Sequence, residues 1–204
     1  MKRLPVVATI VVGIAVLAMI ALGVWQLQRR SEKEALIVRY AANLNLPPMT
    51  YPELAPVPPA AMFRKSQVHC LRVANWRIEG GRTPGGRAGY RHIADCVTGA
   101  EGPGALIDMG VSADPAQKLG WPGGIVDGLI TTEPNHESLI GRLFGRAMPL
   151  RPMLVADVPA PGLAASTPPD PAAIPNNHLA YAVQWFIFAG LALLIYILAL
   201  RRRS

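Results

Sequence analysis

The sequence predicts a membrane protein of the α plus β class, with two transmembrane helices flanking a small, mostly antiparallel β domain. Three observations carry that expectation. Each end of the 204-residue chain holds an apolar run of spanning length. Between the runs, short β-type segments alternate with turns marked by glycine and proline. The positive charge collects beside the apolar runs rather than in the middle.

The first run extends from Leu4 to Val24 behind Met-Lys-Arg, interrupted only by Pro5, Thr9 and glycines. A cleaved signal peptide has a shorter apolar region, about 7–15 residues, and a small-residue cleavage site. Here the run is longer and Ala21-Leu22-Gly23 is a weak site, so the segment reads as an uncleaved anchor. Good helix formers continue without proline or glycine to Tyr40 or Asn43, which extends the helix beyond the bilayer. Trp25 and Gln26 fall at its outer interface. On spacing alone, Trp25 is an interfacial anchor, and Arg29, Arg30 and Lys33 are a solvated face or contacts with lipid phosphate.

Two proline-rich stretches, Leu46 to Ala60 and Val158 to Pro175, read as extended connectors. They divide the chain into a first spanning helix with its interfacial end (1–28), a helix extension and linker (29–60), a β-rich domain (61–157), a second linker (158–177) and a second spanning helix with a basic tail (178–204). Within the domain, Gln67 to Ile78 reads as one strand, bulged near Ala74-Asn75. The glycine run from Gly80 to Gly86 reads as a long flexible hairpin tip and Gly89 to Val97 as the returning strand. Ala105 to Met109 and Gly124 to Thr131 are further strands, Asp114-Pro115 and Trp121-Pro122-Gly123 are turns, and Glu137 to Phe144 is the best short helix. Strands at this spacing predict a small antiparallel sheet or open barrel.

Cys70 and Cys96, the only cysteines, are predicted to form a disulfide between neighbouring strands. The competing reading is a metal site of His69, Cys70, His92 and Cys96. Strand parity opposes it, because His69 and Cys70 must point to opposite faces. The glycine run lacks the ending of a phosphate loop, and no serine has a triad context. His69, His92 and His136 read as ordinary strand or loop residues. The net charge of +7 is topological: residues 61–157 hold 11 Lys/Arg against 9 Asp/Glu, and no basic run is interleaved with aromatics. Nucleic-acid binding is therefore not expected.

The second run, Leu179 to Leu200, is 22 residues long and broken only by Gln184. At about 1.5 Å per residue it reaches ~33 Å, enough to cross the hydrocarbon core. Pro175 stops any earlier helix and Asn176 or Asn177 can cap this one, which puts His178 in the first turn. There the positive end of the helix dipole suits a neutral imidazole, the form that ligates metals. Trp185, seven residues on, projects only about 20° from His178, and Ala182, Ala189 and Ala192 share the stripe. Such a face either carries a flat aromatic ligand with His178 as axial ligand, or packs on another helix through its alanines. Arg201-Arg202-Arg203 with Lys2 and Arg3 assigns both termini to the cytoplasm and the central domain to the outside.

Two stretches together resemble a known family. Trp25-Gln26-Leu27-Gln28-Arg29-Arg30-Ser31-Glu32-Lys33 and Asn176-Asn177-His178-Leu179-Ala180-Tyr181, with Trp185-Phe186 following, are similar to the paired motifs of the Surfeit locus protein 1 family. The resemblance rests on about 20 residues and spans the architecture. It implies a non-enzymatic assembly factor of the bacterial inner (plasma) membrane, with the central domain periplasmic. Such a factor binds haem a transiently and assists its insertion into the catalytic subunit of haem-copper cytochrome c oxidase, with haem a synthase as a further partner. By the same resemblance His178 is the axial ligand to the haem iron and Trp185 lies beside the haem. Trp25, Gln26, Arg29 and Tyr181 are candidates near the haem or its propionates. A scaffold that stabilises an oxidase assembly intermediate without a cofactor is the alternative, and an anchored periplasmic enzyme or metal-handling module is a third. One departure stands out. Where the family carries Asn/Asp-Arg-Gly-Trp, this chain has Asp108-Met109-Gly110-Val111.

Overall fold

The computed structural model describes residues 5–100, 102, 104–136, 145 and 148–203. The expected helix at Glu137 to Phe144 lies outside the described residues. The chain forms two compact units, a helix pair (residues 1–38 and 173–204) and a sheet domain (39–172).

In the helix pair, α1 (Val6–Asn43) starts behind Pro5 and α2 (His178–Arg203) starts three residues after Pro175. Both helices are long and apolar enough to cross a membrane. The contacts Thr9 to Tyr196, Gly23 to Phe186 and Gln26 to His178 run in opposite directions along the two helices, so the pair is antiparallel. Buried and half-buried positions alternate in steps of four and three: Val12, Val16, Met19, Gly23 and Gln26 on α1, and His178, Ala182, Trp185, Ala189, Ala192 and Tyr196 on α2. That is the narrow seam of coiled-coil-like packing. Away from the seam, Ile10, Ile14, Leu17, Leu191, Ile195 and Leu198 are exposed, as suits helices whose solvent is lipid.

The sheet domain contains β1 (Met49–Thr50), β2 (Lys65–Cys70), β3 (Arg72–Arg82), β4 (Ala88–Val97), β5 (Ala105–Ser112), β6 (Gly124–Thr132) and β7 (Pro152–Ala156). Their order in the sheet is β1-β2-β6-β7-β5-β4-β3. The pairs β1–β2 and β5–β7 are parallel and the other four antiparallel. Cys70 on β2 and Cys96 on β4 are joined by a disulfide, with their Cα atoms 5.2 Å apart. Four interstrand steps separate β2 from β4, which would be about 19 Å in a flat sheet. The sheet therefore curls until its two ends meet. Val68, Cys70, Cys96, Ile107, Val126, Ile130 and Leu154 fill the inside.

Several expectations are corrected here. The strand expected from Gln67 to Ile78 is two strands with Leu71 as the corner, because β2 pairs with β6 and β3 with β4. The bulge between Val73 and Asn75 is present. Gly80, Gly81 and Arg82 are paired with Tyr90, Gly89 and Ala88, so the hairpin tip is only residues 83–87, closed by Thr83 N–H to Arg87 O and Gly86 N–H to Thr83 O. The disulfide does not join sheet neighbours; it bridges the curl. With both thiols in that bond, His69 exposed and His92 buried against Ser112, the four-ligand metal reading is overturned.

Both proline-rich stretches also make contacts inside the domain. Tyr51 is buried and donates its hydroxyl to Pro152 O at 2.7 Å, and burial raises its pKa. Ala160 N–H bonds Met109 O, and Val111 and Ala164 exchange two backbone bonds. The disulfide closes a loop of 26 residues, worth about 3 kcal/mol by the loop-entropy relation. Replacing both cysteines (Cys70→Ser with Cys96→Ser) in the full chain should therefore lower the thermal midpoint by several degrees in detergent. The same shift should follow when the wild type is reduced, and reductant should leave the double variant unmoved.

Candidate functional site

The residues singled out at the helix pair divide into two groups. His178, the first residue of α2, sits at the head of the seam with Ala182 and Trp185 behind it on the same face. Opposite it on α1 is Gln26, and the two side chains meet: His178 Nδ1 lies 2.8 Å from Gln26 Oε1. The contact depends on close helix approach. A Cβ on Gly23, one turn before Gln26, would fall 2.6 Å from the Phe186 ring, so glycine there leaves room for the ring. Trp185 is half-buried and meets Phe188 edge-on, with ring centroids 6.2 Å apart. These positions converge as the helical spacing predicts.

The remaining candidates face outward. Trp25 is 49% exposed and Tyr181 52%. Arg29 is also exposed and donates to Glu32 at 2.6 Å, while Arg30 pairs with Glu34 at 2.8 Å. Such i,i+3 and i,i+4 pairs contribute a few tenths of a kcal/mol each. Trp25 and Arg29 are one turn apart and share a face of α1, beside the seam rather than in it.

His178 fits the role of an iron ligand. Gln26 Oε1 can only accept, so in a neutral ring Nδ1 carries the proton and Nε2 keeps the lone pair. Among the described residues Nε2 has no hydrogen-bond partner. A histidine ligand usually donates its other ring N–H to an acceptor in this manner. Asn176 Oδ1, two residues before His178, is a buried acceptor with no partner among the described residues. The turn into α2 thus has an open acceptor as well as an open lone pair.

The sheet domain holds a second polar cluster, which sequence reasoning did not find. Between Arg91 and Ile93 of β4 the register with β5 shifts, so that Met109 and Gly110 stand against the single residue His92. Gly110 has φ of 127°, and a Cβ there would meet Ala164 O at 2.6 Å. Asp108, fully buried, accepts from Gly110 N–H at 3.1 Å and from Ser166 Oγ at 2.7 Å, and its other oxygen lies 3.6 Å from Arg91 Nη1. Burial pushes the Asp108 carboxyl up from the usual range, while Ser166, Arg91 and Gly110 pull the other way. Beside it lies a cleft of about 570 Å³ lined by Gly80, Gly81, Arg82, Arg91, Asp108 and Thr167. Of the other histidines, buried His92 bonds Ser112 Oγ at 2.8 Å and burial lowers its pKa; His136 is exposed, 3.2 Å from Glu79. His69 is exposed on β2.

The family model described as the SURF1 family matches residues 13–190 of the chain, which takes in most of α1, the first half of α2, Gln26, His178 and the whole sheet domain. The chain belongs to the SURF1 family. That family is associated with cytochrome c oxidase assembly and is one of assembly factors rather than catalysts. A search of curated proteins found no match. Asp108 and Gly110 are two residues of the stretch Asp108-Met109-Gly110-Val111 noted in the sequence. They are also the two that the bulge requires: the carboxylate that accepts at its N–H, and the residue without Cβ.

The raised pKa of Asp108 gives a pH dependence with a definite sign. The unfolded carboxyl, near 3.9, ionises before the folded one, so unfolding becomes more favourable as pH rises through the window above that value. Asp108→Asn keeps an acceptor for Ser166 and Gly110 and removes the ionisation. Denaturant titrations from pH 3.5 to 6 should show a smaller fall in stability with rising pH in the variant than in the wild type.

Proposed function

We propose that this SURF1-family protein is a two-pass assembly factor of the bacterial inner membrane that holds haem a transiently through His178 and aids its delivery to the oxidase catalytic subunit. The observation that supports the reading best is the half-buried His178 at the head of the seam, with Nδ1 engaged by Gln26 and Nε2 free. Haem a, when bound, would supply an iron that an imidazole nitrogen can ligate, and His178 would be the residue that holds it. The chain supplies the rest. Gln26 orients the ring, Trp185 offers an indole face two turns deeper, and the small residues Ala182 and Ala189 leave room along the stripe. One protein ligand makes for a hold that can be released, as delivery requires. Haem a synthase would be the natural donor.

On this reading both termini are cytoplasmic and the sheet domain is periplasmic. The basic residues at the two ends support that orientation, and the disulfide agrees with an oxidising compartment. A scaffold that stabilises an assembly intermediate without cofactor is the second reading. It is favoured by the outward exposure of Trp25 and Tyr181 and the self-pairing of Arg29, which leave three of the six candidates away from the seam face. The visible spectrum decides between the two. The detergent-purified protein, co-expressed with haem a synthesis, should carry a haem a spectrum that His178→Ala loses at equal protein concentration. No haem in either, with both proteins intact, would move the assignment to the scaffold.

A further inference from the structure

We propose that Gln26 is the positioning residue of the helix pair: its carbonyl oxygen holds the proton of His178 on Nδ1 and so fixes Nε2 as the nitrogen presented to iron. The inference deepens the haem reading and rests on it for its purpose, although the tautomer itself can be read without haem.

The chemistry follows from what each group can donate. A neutral imidazole carries one N–H, and free in water it prefers that proton on Nε2. Left to itself, the ring at residue 178 would then have its only lone pair on Nδ1, the nitrogen nearer its own backbone. The 2.8 Å contact reverses this, since Oε1 has no proton to give and Nδ1 must donate. The amide could in principle face the ring the other way. Its NH2 would then donate to Nδ1 and the ring proton would move to Nε2, which could no longer ligate. One side chain on α1 thereby decides which nitrogen of an α2 residue is available.

The contact has the setting such a role needs. It is partly buried, so water competes less for Nδ1 than at an open surface. Gln26 also belongs to the same seam as Gly23, and the approach of Phe186 to that glycine sets the spacing across which amide and ring must meet. A hydrogen bond from Nδ1–H also raises the electron-donating power of the ring. The neutral amide does this less than a carboxylate, which suits a ligand that must let go.

The direct experiment is nitrogen NMR of the full-length protein without haem, in detergent, labelled with 15N-histidine. The imidazole shifts of His178, assigned by their loss in His178→Ala, should report the Nδ1–H tautomer in the wild type. In Gln26→Leu they should move toward Nε2–H. Nε2–H in the wild type, or an Nδ1–H form unchanged in Gln26→Leu, would overturn the proposal. Haem a titration gives the second readout. Gln26→Leu should weaken binding by about 10–100-fold, the usual effect of losing such an outer partner. Gln26→Glu keeps an acceptor and should restore binding, with a lower midpoint potential and a stiffer iron–histidine stretch in the Raman spectrum. Full binding by Gln26→Leu, with His178→Ala deficient, would sink the role of Gln26 and leave the ligand standing. Equal binding by His178→Ala would instead sink the haem reading, while the tautomer measurement would still stand or fall alone.

Discussion

Two helices in lipid gain nothing by burying apolar surface against each other, because the hydrocarbon around them is as apolar as their own side chains. What draws them together is close packing and the few polar contacts that lipid cannot supply. In this chain both act along one seam. Gly23, Ala182 and Ala189 let the backbones approach, and two side-chain pairs close across the gap, Thr9 with Tyr196 toward one end and Gln26 with His178 toward the other. The two pairs, near opposite ends of the seam, also help to fix the register of the helices. The histidine therefore sits where helix packing fixes the orientation of its ring. Its ring is held because the helices are, and its free nitrogen is a by-product of how it is held.

The sheet domain solves a different problem, that of closing a small core with seven strands. Its central strands β5 and β7 are buried throughout and run parallel, and the outer strands wrap toward each other until the Cys70–Cys96 bond spans the seam of the curl. Bending of that kind needs places where the ladder gives way. The bulge at Arg91–Ile93, opposite Met109 and Gly110, is one, and it leaves backbone groups that the ladder no longer satisfies. Asp108 takes up one of them at Gly110 N–H, and Ser166, from the second proline-rich stretch, fills another lone pair of that carboxylate. The proline-rich segment is thus tied to the sheet through the polar centre of the bulge as well as through Ala160 and Ala164.

Legibility in the sequence followed the strength of the physical signal. The spanning helices were readable to within a few residues because lipid imposes length and composition, and proline and asparagine mark the start of α2. Faces were readable too: helical angle alone put Trp185 behind His178, and strand parity separated His69 from Cys70. Two things resisted. β7 is a run of five residues beginning with Pro152, in a segment whose neighbours are proline, arginine and methionine; its strand character comes from being sandwiched between β5 and β6, which no local pattern announces. The meeting of Gln26 with His178 is likewise a property of two helices 152 positions apart in sequence. Sequence could nominate both residues but could not pair them.

The divergent stretch at Asp108 shows how a motif can separate into parts with different causes. Asp108 and Gly110 answer to the sheet, one as an acceptor at the bulge and the other as the residue whose backbone passes 2.6 Å, at Cβ, from Ala164 O. An acceptor at 108 and the lack of a Cβ at 110 are both tied to the return of residues 159–166 across β5. Met109 and Val111, the other two residues of the stretch, are both buried in the apolar core. An arginine at 109 would have to leave that core or find a partner in it, because an uncompensated buried charge costs several kcal/mol. The local core here is therefore built around apolar side chains at these positions.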